Sequence, residues 1–165
     1  MSPAEREAIA AYLDPIIRGA PCDPILRQIP RHLIGDIWPV IDALMVKLVQ
    51  RSAGAWTIAG ILERLERGEW QLWVVWDGRI MAVLATELYA EMSGRRCARI
   101  VFTTGHDARK WSHLIADIET WALAQGCCKL EMIARKGWAK ATALASYRMT
   151  HVLLERTLED RPHAQ

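Results

Sequence analysis

The side chains able to do chemistry in this chain are few and do not declare a set by themselves. Four cysteines, Cys22, Cys97, Cys127 and Cys128, lack the paired CxxC spacing of a zinc or redox motif. In an extended segment Cys127 and Cys128 point to opposite faces, which argues against a bond between them. Small buried hydrophobes in a reducing compartment is the reading they support. His106, His113 and His151 form no spaced group with cysteine or carboxylate, so no metal site is expected. A serine nucleophile has no Gly-x-Ser-x-Gly turn to sit on. What remains is one stretch, Thr104-Gly105-His106-Asp107-Ala108-Arg109-Lys110-Trp111, where a glycine precedes a helical pattern that opens with two cations. Free amides at a helix start attract anions. Asp107 works against that attraction, and the same residues also read as an N-cap followed by solvated cations.

The elements that would position this loop follow from hydrophobic spacing. At 165 residues and 52% hydrophobic, the chain is long enough for one sizeable core and short for two. Residues 1–33 hold most of the prolines and one helical stretch, Pro3 to about Tyr12, and read as an arm. From Asp36, a plausible N-cap, Ile37, Trp38, Ile41, Leu44, Met45 and Leu48 follow helical spacing, with Pro39 placed in the first turn. Arg51 to Gly54 breaks that helix. A second begins near Thr57 with Ile58, Ile61, Leu62 and Leu65 on one face, and Gly68 stands at its C-terminal stop.

In QLWVVWDGRIMAVLATEL two β-favouring runs flank Asp77-Gly78, the dipeptide that a two-residue type I′ hairpin prefers. A turn at Ser93-Gly94 leads to a third antiparallel strand, about Arg96 to Thr104. One helix is then expected with Trp111, Leu114, Ile115, Ile118 and Trp121 on a face, ending at Gly126. CCKLEMIA reads as a short strand, KGWAKATALAS as a helix, and YRMTHVLLERTL as a last strand before a polar tail at 159–165. The eight tryptophans read mainly as core fillers, Trp138 included.

Two helices, an antiparallel meander and a strand-helix-strand-helix-strand ending resemble the Gcn5-related N-acetyltransferases (the GNAT superfamily), an α/β (α+β) fold with a mixed, mostly antiparallel sheet flanked by helices. Within it, QLWVVWDGRI, VLATEL and IETWALAQGCCKLEMIARKGWAKA are similar to short acetyltransferase-like proteins of tailed phages and prophages, over roughly 34–158. The resemblance implies acetyl-CoA as cofactor, held where the fourth and fifth strands splay, with its pyrophosphate at Gly105, His106, Ala108, Arg109 and Lys110. It implies a carboxylate base, Glu87 before Glu131, and a tyrosine proton donor, for which Tyr147 is the candidate. The family's glycine-rich loop is reduced here to the single Gly105, and Tyr147 aligns more naturally with the aromatic that leads into the final strand.

Two further readings stand beside a CoA-dependent N-acyltransferase acting on a small or protein amine. A non-catalytic protein of the same fold, serving a phage particle or its assembly through protein partners, fits the reduced loop and the tryptophan content. Nucleic-acid binding would rest on Arg95-Arg96 and Arg135-Lys136, which read more simply as solvated surface, and the net charge of +2 gives no broad footprint for a polyanion. The N-terminus lacks a basic start and apolar run, and no run is long enough to span a bilayer. The expectation is therefore a protein of the bacterial cytoplasm or of a particle assembled there.

Overall fold

A computed structural model describes residues 11–14, 16, 23–134, 137–138 and 146–150. Its sheet grows from the hairpin that the Asp-Gly signal announces. Strands β2 (Trp70–Trp76) and β3 (Ile80–Ala90) pair antiparallel, and β4 (Arg96–Gly105) adds on the far side of β3. Strand β1 (Ile25–Ile29) pairs antiparallel with β2 at one edge, and β5 (Leu130–Met132) lies parallel to β4 at the other, so the sheet runs β1 to β5 in spatial order. The architecture is the mixed, mostly antiparallel sheet flanked by helices that the sequence leads one to expect.

Helices cover both faces because nearly every position of the central strands is apolar on both sides. On one face α1 (Ile34–Gln50) and α2 (Ile58–Glu66) bury Ile37, Ile41, Met45, Ile61 and Leu65 against Leu72, Val74, Val83, Ala85 and Phe102. On the other, α3 (Ala108–Trp111), a single 3-10 turn and α4 (Ile115–Ala124) lay Trp111, Ile115 and Ile118 on Trp73, Val75, Leu84 and Ile100. Each such aliphatic side chain removed from water contributes roughly 1.5–3 kcal/mol, which makes the central strands the rigid part of the frame. Leu13 and Ile16, from the amino-terminal stretch, join the α1 side of this core.

Several local details differ from the sequence expectation. Helix α1 starts at Ile34, directly out of a 3-10 turn, so Asp36 is inside the first turn and Leu33 holds the cap position. Pro39 is consequently the sixth residue of the helix, where it has no N–H to give the Gly35 carbonyl. Thr57 does cap α2, its Oγ1 accepting from the Gly60 amide at 3.0 Å. The hairpin connection takes three residues, 77–79, with a register irregularity at Val75/Trp76; Gly78 alone has positive φ there, so the turn is not the type I′ form, which needs two such residues. The single helix expected after Gly105 is broken into α3, a 3-10 turn and α4.

Strand β1 is not signalled by the proline-dense composition around it; its pairing with β2 creates it. The expected last helix and final strand, and His151, fall almost wholly outside the described residues. Among the described residues no helix is long and apolar enough to cross a membrane.

Candidate functional site

The strands β4 and β5 define a wedge. They pair over Ala98–Ile100 and Leu130–Met132, with bonds from the Ala98 amide to the Lys129 carbonyl and from the Cys128 amide to the Arg96 carbonyl, each at 2.9 Å, at one end and, at the other, a further bond from the Ile133 amide to the Ile100 carbonyl at 3.2 Å. Beyond that point β5 ends, while β4 runs on through Val101–Gly105 with β3 as its only strand partner among the described residues. The wedge opens at an irregularity. Ala85 faces Phe102 and Thr86 faces Ile100, so Val101 is an extra residue in β4, a bulge that bends the strand and releases backbone groups from the ladder. In the same stretch the Thr103 hydroxyl oxygen is buried without a partner among the described residues.

At the wide end of the wedge lies the loop 105–110. Gly105 takes φ +155°, and a Cβ there would come within 2.3 Å of the Met81 carbonyl oxygen and 2.6 Å of Ala82. Its lack of a side chain is therefore demanded by the neighbouring strand. The His106 amide donates to that same Met81 carbonyl at 2.9 Å and is unavailable to a ligand. By contrast, the amides of Asp107, Ala108 and Arg109 make no hydrogen bond among the described residues. Asp107 sits in the left-handed region, φ 52° and ψ 38°, and its side chain makes no capping bond. Its carboxylate instead faces His106 at 3.4 Å, Lys110 at 3.6 Å and Arg79, from the hairpin turn, at 3.9 Å. The loop and hairpin turn thus hold three cations, Arg79, Arg109 and Lys110, with two carboxylates, Asp107 and Asp77, the latter 3.9 Å from Arg79, and so keep one net positive charge suited to an anion. Arg79 could not be found from the sequence, because the β3–β4 register brings it here. The four-residue α3 contributes little dipole of its own, so the three amides and the cations would have to do the holding.

Glu87 stands at the narrow end, on the sheet face covered by α1 and α2. Its Oε1 accepts from Arg99 at 2.8 Å and its Oε2 from the Trp70 indole at 3.3 Å. Arg99 also reaches Glu131 on β5 at 3.1 Å, so one guanidinium ties β3, β4 and β5 together. Burial raises the Glu131 pKa, but hydrogen bonds from Lys129, Tyr89 and Arg99 outweigh it and bring it down to about 2. Glu131 is therefore held ionised and is a weak proton acceptor. The Lys129 ammonium bridges Glu131 and Glu91, each at 2.7 Å. Arg99 and Tyr89 are members of this cluster that spacing alone could not nominate; register across three strands assembles them, with the Arg99 guanidinium 4.5 Å from the Tyr89 ring centre.

Tyr147 lies elsewhere. Its hydroxyl donates to Glu119 on α4 at 2.8 Å, and burial followed by that bond pushes its pKa up. It packs with the α4-side cluster, as does Trp138, whose ring centre is 5.6 Å from that of Trp111. Trp111 is itself fully buried, its indole donating to the His106 carbonyl at 2.8 Å, so the loop is pinned from beneath. The structure brings Gly105, His106, Ala108, Arg109 and Lys110 together, sets Glu87 with Glu131 at the other end of the wedge, and leaves Tyr147 on the opposite face from Glu87. His113 sits in the 3-10 turn before α4, apart from these groups.

Next to Glu87, a groove of about 320 Å³ is lined by Trp56, Thr57, Gly60, Arg64 and Trp70. Trp56 and Trp70 both pack on Phe102, the residue after the bulge, at 5.3 and 6.1 Å between ring centres. The groove and the wedge therefore share a wall. Among the described residues, no group of three or more histidine, cysteine or carboxylate side chains could hold a metal.

No family model matches this sequence. No curated protein matches it either. Solved structures match its fold. An acetyltransferase of Trypanosoma brucei is 16% identical and superposes with a TM-score of 0.57, covering 82% of this chain and 100% of its own. An aminoglycoside acetyltransferase from an uncultured soil metagenomic sample, solved with sisomicin, is 12% identical with a TM-score of 0.60, over 83% and 97%. A ribosomal-protein-alanine N-acetyltransferase of Brucella melitensis is 12% identical with a TM-score of 0.56, over 82% and 98%. The chain has the fold of the GNAT acetyltransferases.

Proposed function

We infer that this protein is a CoA-dependent N-acyltransferase that moves an acetyl group to an amine. The observation that carries the reading is the wedge: β4 outruns β5 by Val101–Gly105, starts to do so at a bulge, and ends at three amides that are unpaired among the described residues and lie beside Arg109 and Lys110. The residues present fit acetyl-CoA in kind, with amides and cations for phosphates and, along the way, the Thr103 hydroxyl, which has no partner among the described residues. When bound, the thioester supplies an activated acyl carbon. The bulge at Val101 leaves backbone groups positioned to bind the acyl carbonyl as it takes on charge. Glu87 takes the proton from the attacking amine, since Glu131 is held too acidic for that work. Arg99 orients Glu87, and the groove at Trp56 and Trp70 receives the acceptor. Tyr147, its hydroxyl bound to Glu119, would not act as the proton donor to a leaving thiolate in this arrangement.

The test is acetyl-CoA turnover over a panel of amines, followed by release of free thiol. Turnover that falls about 10²–10⁴-fold in Glu87→Gln supports the assignment. Equal turnover in the variant removes Glu87 from it.

A second reading, a non-catalytic protein that keeps the fold for protein contacts, draws on specific bonds. The His106 amide, the Tyr147 hydroxyl and the Glu87 carboxylate are each already engaged within the molecule. The phage or prophage setting, including a place in a virion, rests on the sequence resemblance alone; detection of the chain in purified particles tests it.

A further inference from the structure

We propose that Cys128 is an oxidation site and that Cys97 resolves it, the two forming a disulfide across the closed end of the β4–β5 wedge. The backbone brings them side by side: the Cys128 amide donates to the Arg96 carbonyl at 2.9 Å, and the Ala98 amide to the Lys129 carbonyl at 2.9 Å. Neighbouring strands stand about 4.8 Å apart, inside the Cα separation that a disulfide spans. The Cys97 thiol donates to the Arg95 carbonyl at 3.7 Å, and Cys128 is among the groups close enough to raise its pKa.

Their exposures differ in the useful way. Cys128 is open to solvent, whereas Cys97 and Cys127 are buried. Cys127 packs with Ala98 and Ala122 in a separate buried cluster. Burial, then the contact with Cys128, keeps the Cys97 thiol protonated. The ion-paired side chains of Arg95, Glu91 and Lys129 lie beside the pair.

A hydroperoxide is the oxidant class. The Cys128 thiolate sulfur attacks the peroxide O–O bond, becoming a sulfenic acid while the peroxide is reduced to alcohol or water. The Cys97 sulfur then displaces the hydroxyl, the S–S bond forms, and the Cys97 proton leaves with that hydroxyl as water. The bond would fix β5 to β4 two residues from Arg99, at the hinge of the wedge.

The experiment treats the full chain with hydrogen peroxide, alkylates remaining thiols, digests with trypsin without reduction and reads masses. The expected product joins Cys97-Ala98-Arg99 to the peptide 111–129, lighter by two hydrogens, in monomeric protein; it persists in Cys127→Ser and is lost in Cys128→Ser. In Cys97→Ser, a dimedone adduct on Cys128 is expected. Full alkylation of Cys97 and Cys128 after peroxide, a closed Cys127–Cys128 ring, a link surviving Cys128→Ser, or a link found only between chains would each overturn the proposal. Unchanged thermal unfolding of reduced Cys128→Ser shows that loss of the link is chemical and not a failure to fold.

Discussion

Replacing Gly105 by alanine sets the backbone of the loop against the strand beside it. The new Cβ would lie 2.3 Å from the Met81 carbonyl oxygen and 2.6 Å from both Cα and Cβ of Ala82. None of these is the end of a flexible side chain, and Met81 and Ala82 are fully buried in the middle of the sheet. Relief therefore has to come from moving backbone, which breaks the His106 amide's bond to Met81 at 2.9 Å. A residue with a Cβ at φ +155° adds strain of about 1–3 kcal/mol, and overpacking a fixed core adds about 1–3 kcal/mol more. Taken together, Gly105→Ala loses about 3 kcal/mol or more in urea unfolding, and its Tm falls by roughly 6–12 °C. Gly35→Ala is the matched control, because nothing lies within 4 Å of its added Cβ and the site is helical. That control is neutral or gains up to about 1 kcal/mol. A loss below about 0.5 kcal/mol in Gly105→Ala would refute the argument that β3 dictates this glycine.

Thr57→Ala removes the only side-chain cap described for α2 and lowers stability by about 1 kcal/mol, read by denaturant unfolding; Thr57→Ser restores most of it. Glu131 has a pKa of about 2 in the fold against 4.5 in the free side chain, so it adds stability that is complete above about 4.5 and lost as pH falls toward 2. Glu131→Gln flattens the acid limb of stability in that window, by on the order of 1 kcal/mol once solvent screening of a one-third exposed side chain is counted. An unchanged acid limb would remove Glu131 from the ion-pair chain.

The fold was largely legible because its strongest signals are local. Ile37, Ile41 and Met45 state a helix by spacing, Gly68 and Gly126 end helices at positive φ, and the runs on either side of Asp77-Gly78 are close enough along the chain to pair with each other. Strand β1 was not legible, since Ile25–Ile29 is short, lies among prolines and gains its extended form from bonds to β2. The break between α3 and α4 was hidden for a similar reason: the Trp111 indole reaches back to the His106 carbonyl, a contact that helical spacing does not encode.

For the site, the loop 105–110 could be nominated from its residue types, but the side chains that surround it could not. Arg79 and Arg99 come from strand register, and the bulge at Val101 shows only when β3 and β4 are laid side by side. Glu87 and Tyr147 are each recognisable as chemistry-bearing residues, yet the sequence could not place them on opposite faces of the sheet.

The measurement that bears most directly on the wedge as an acyl-CoA site is calorimetric titration of acetyl-CoA into the wild-type chain and into Arg109→Ala/Lys110→Ala. Saturable one-to-one binding, weakened about tenfold or more in the variant as about 1.4 kcal/mol of phosphate attraction is removed, is the predicted result. No heat of binding at millimolar acetyl-CoA, or equal affinity in both chains, would contradict it.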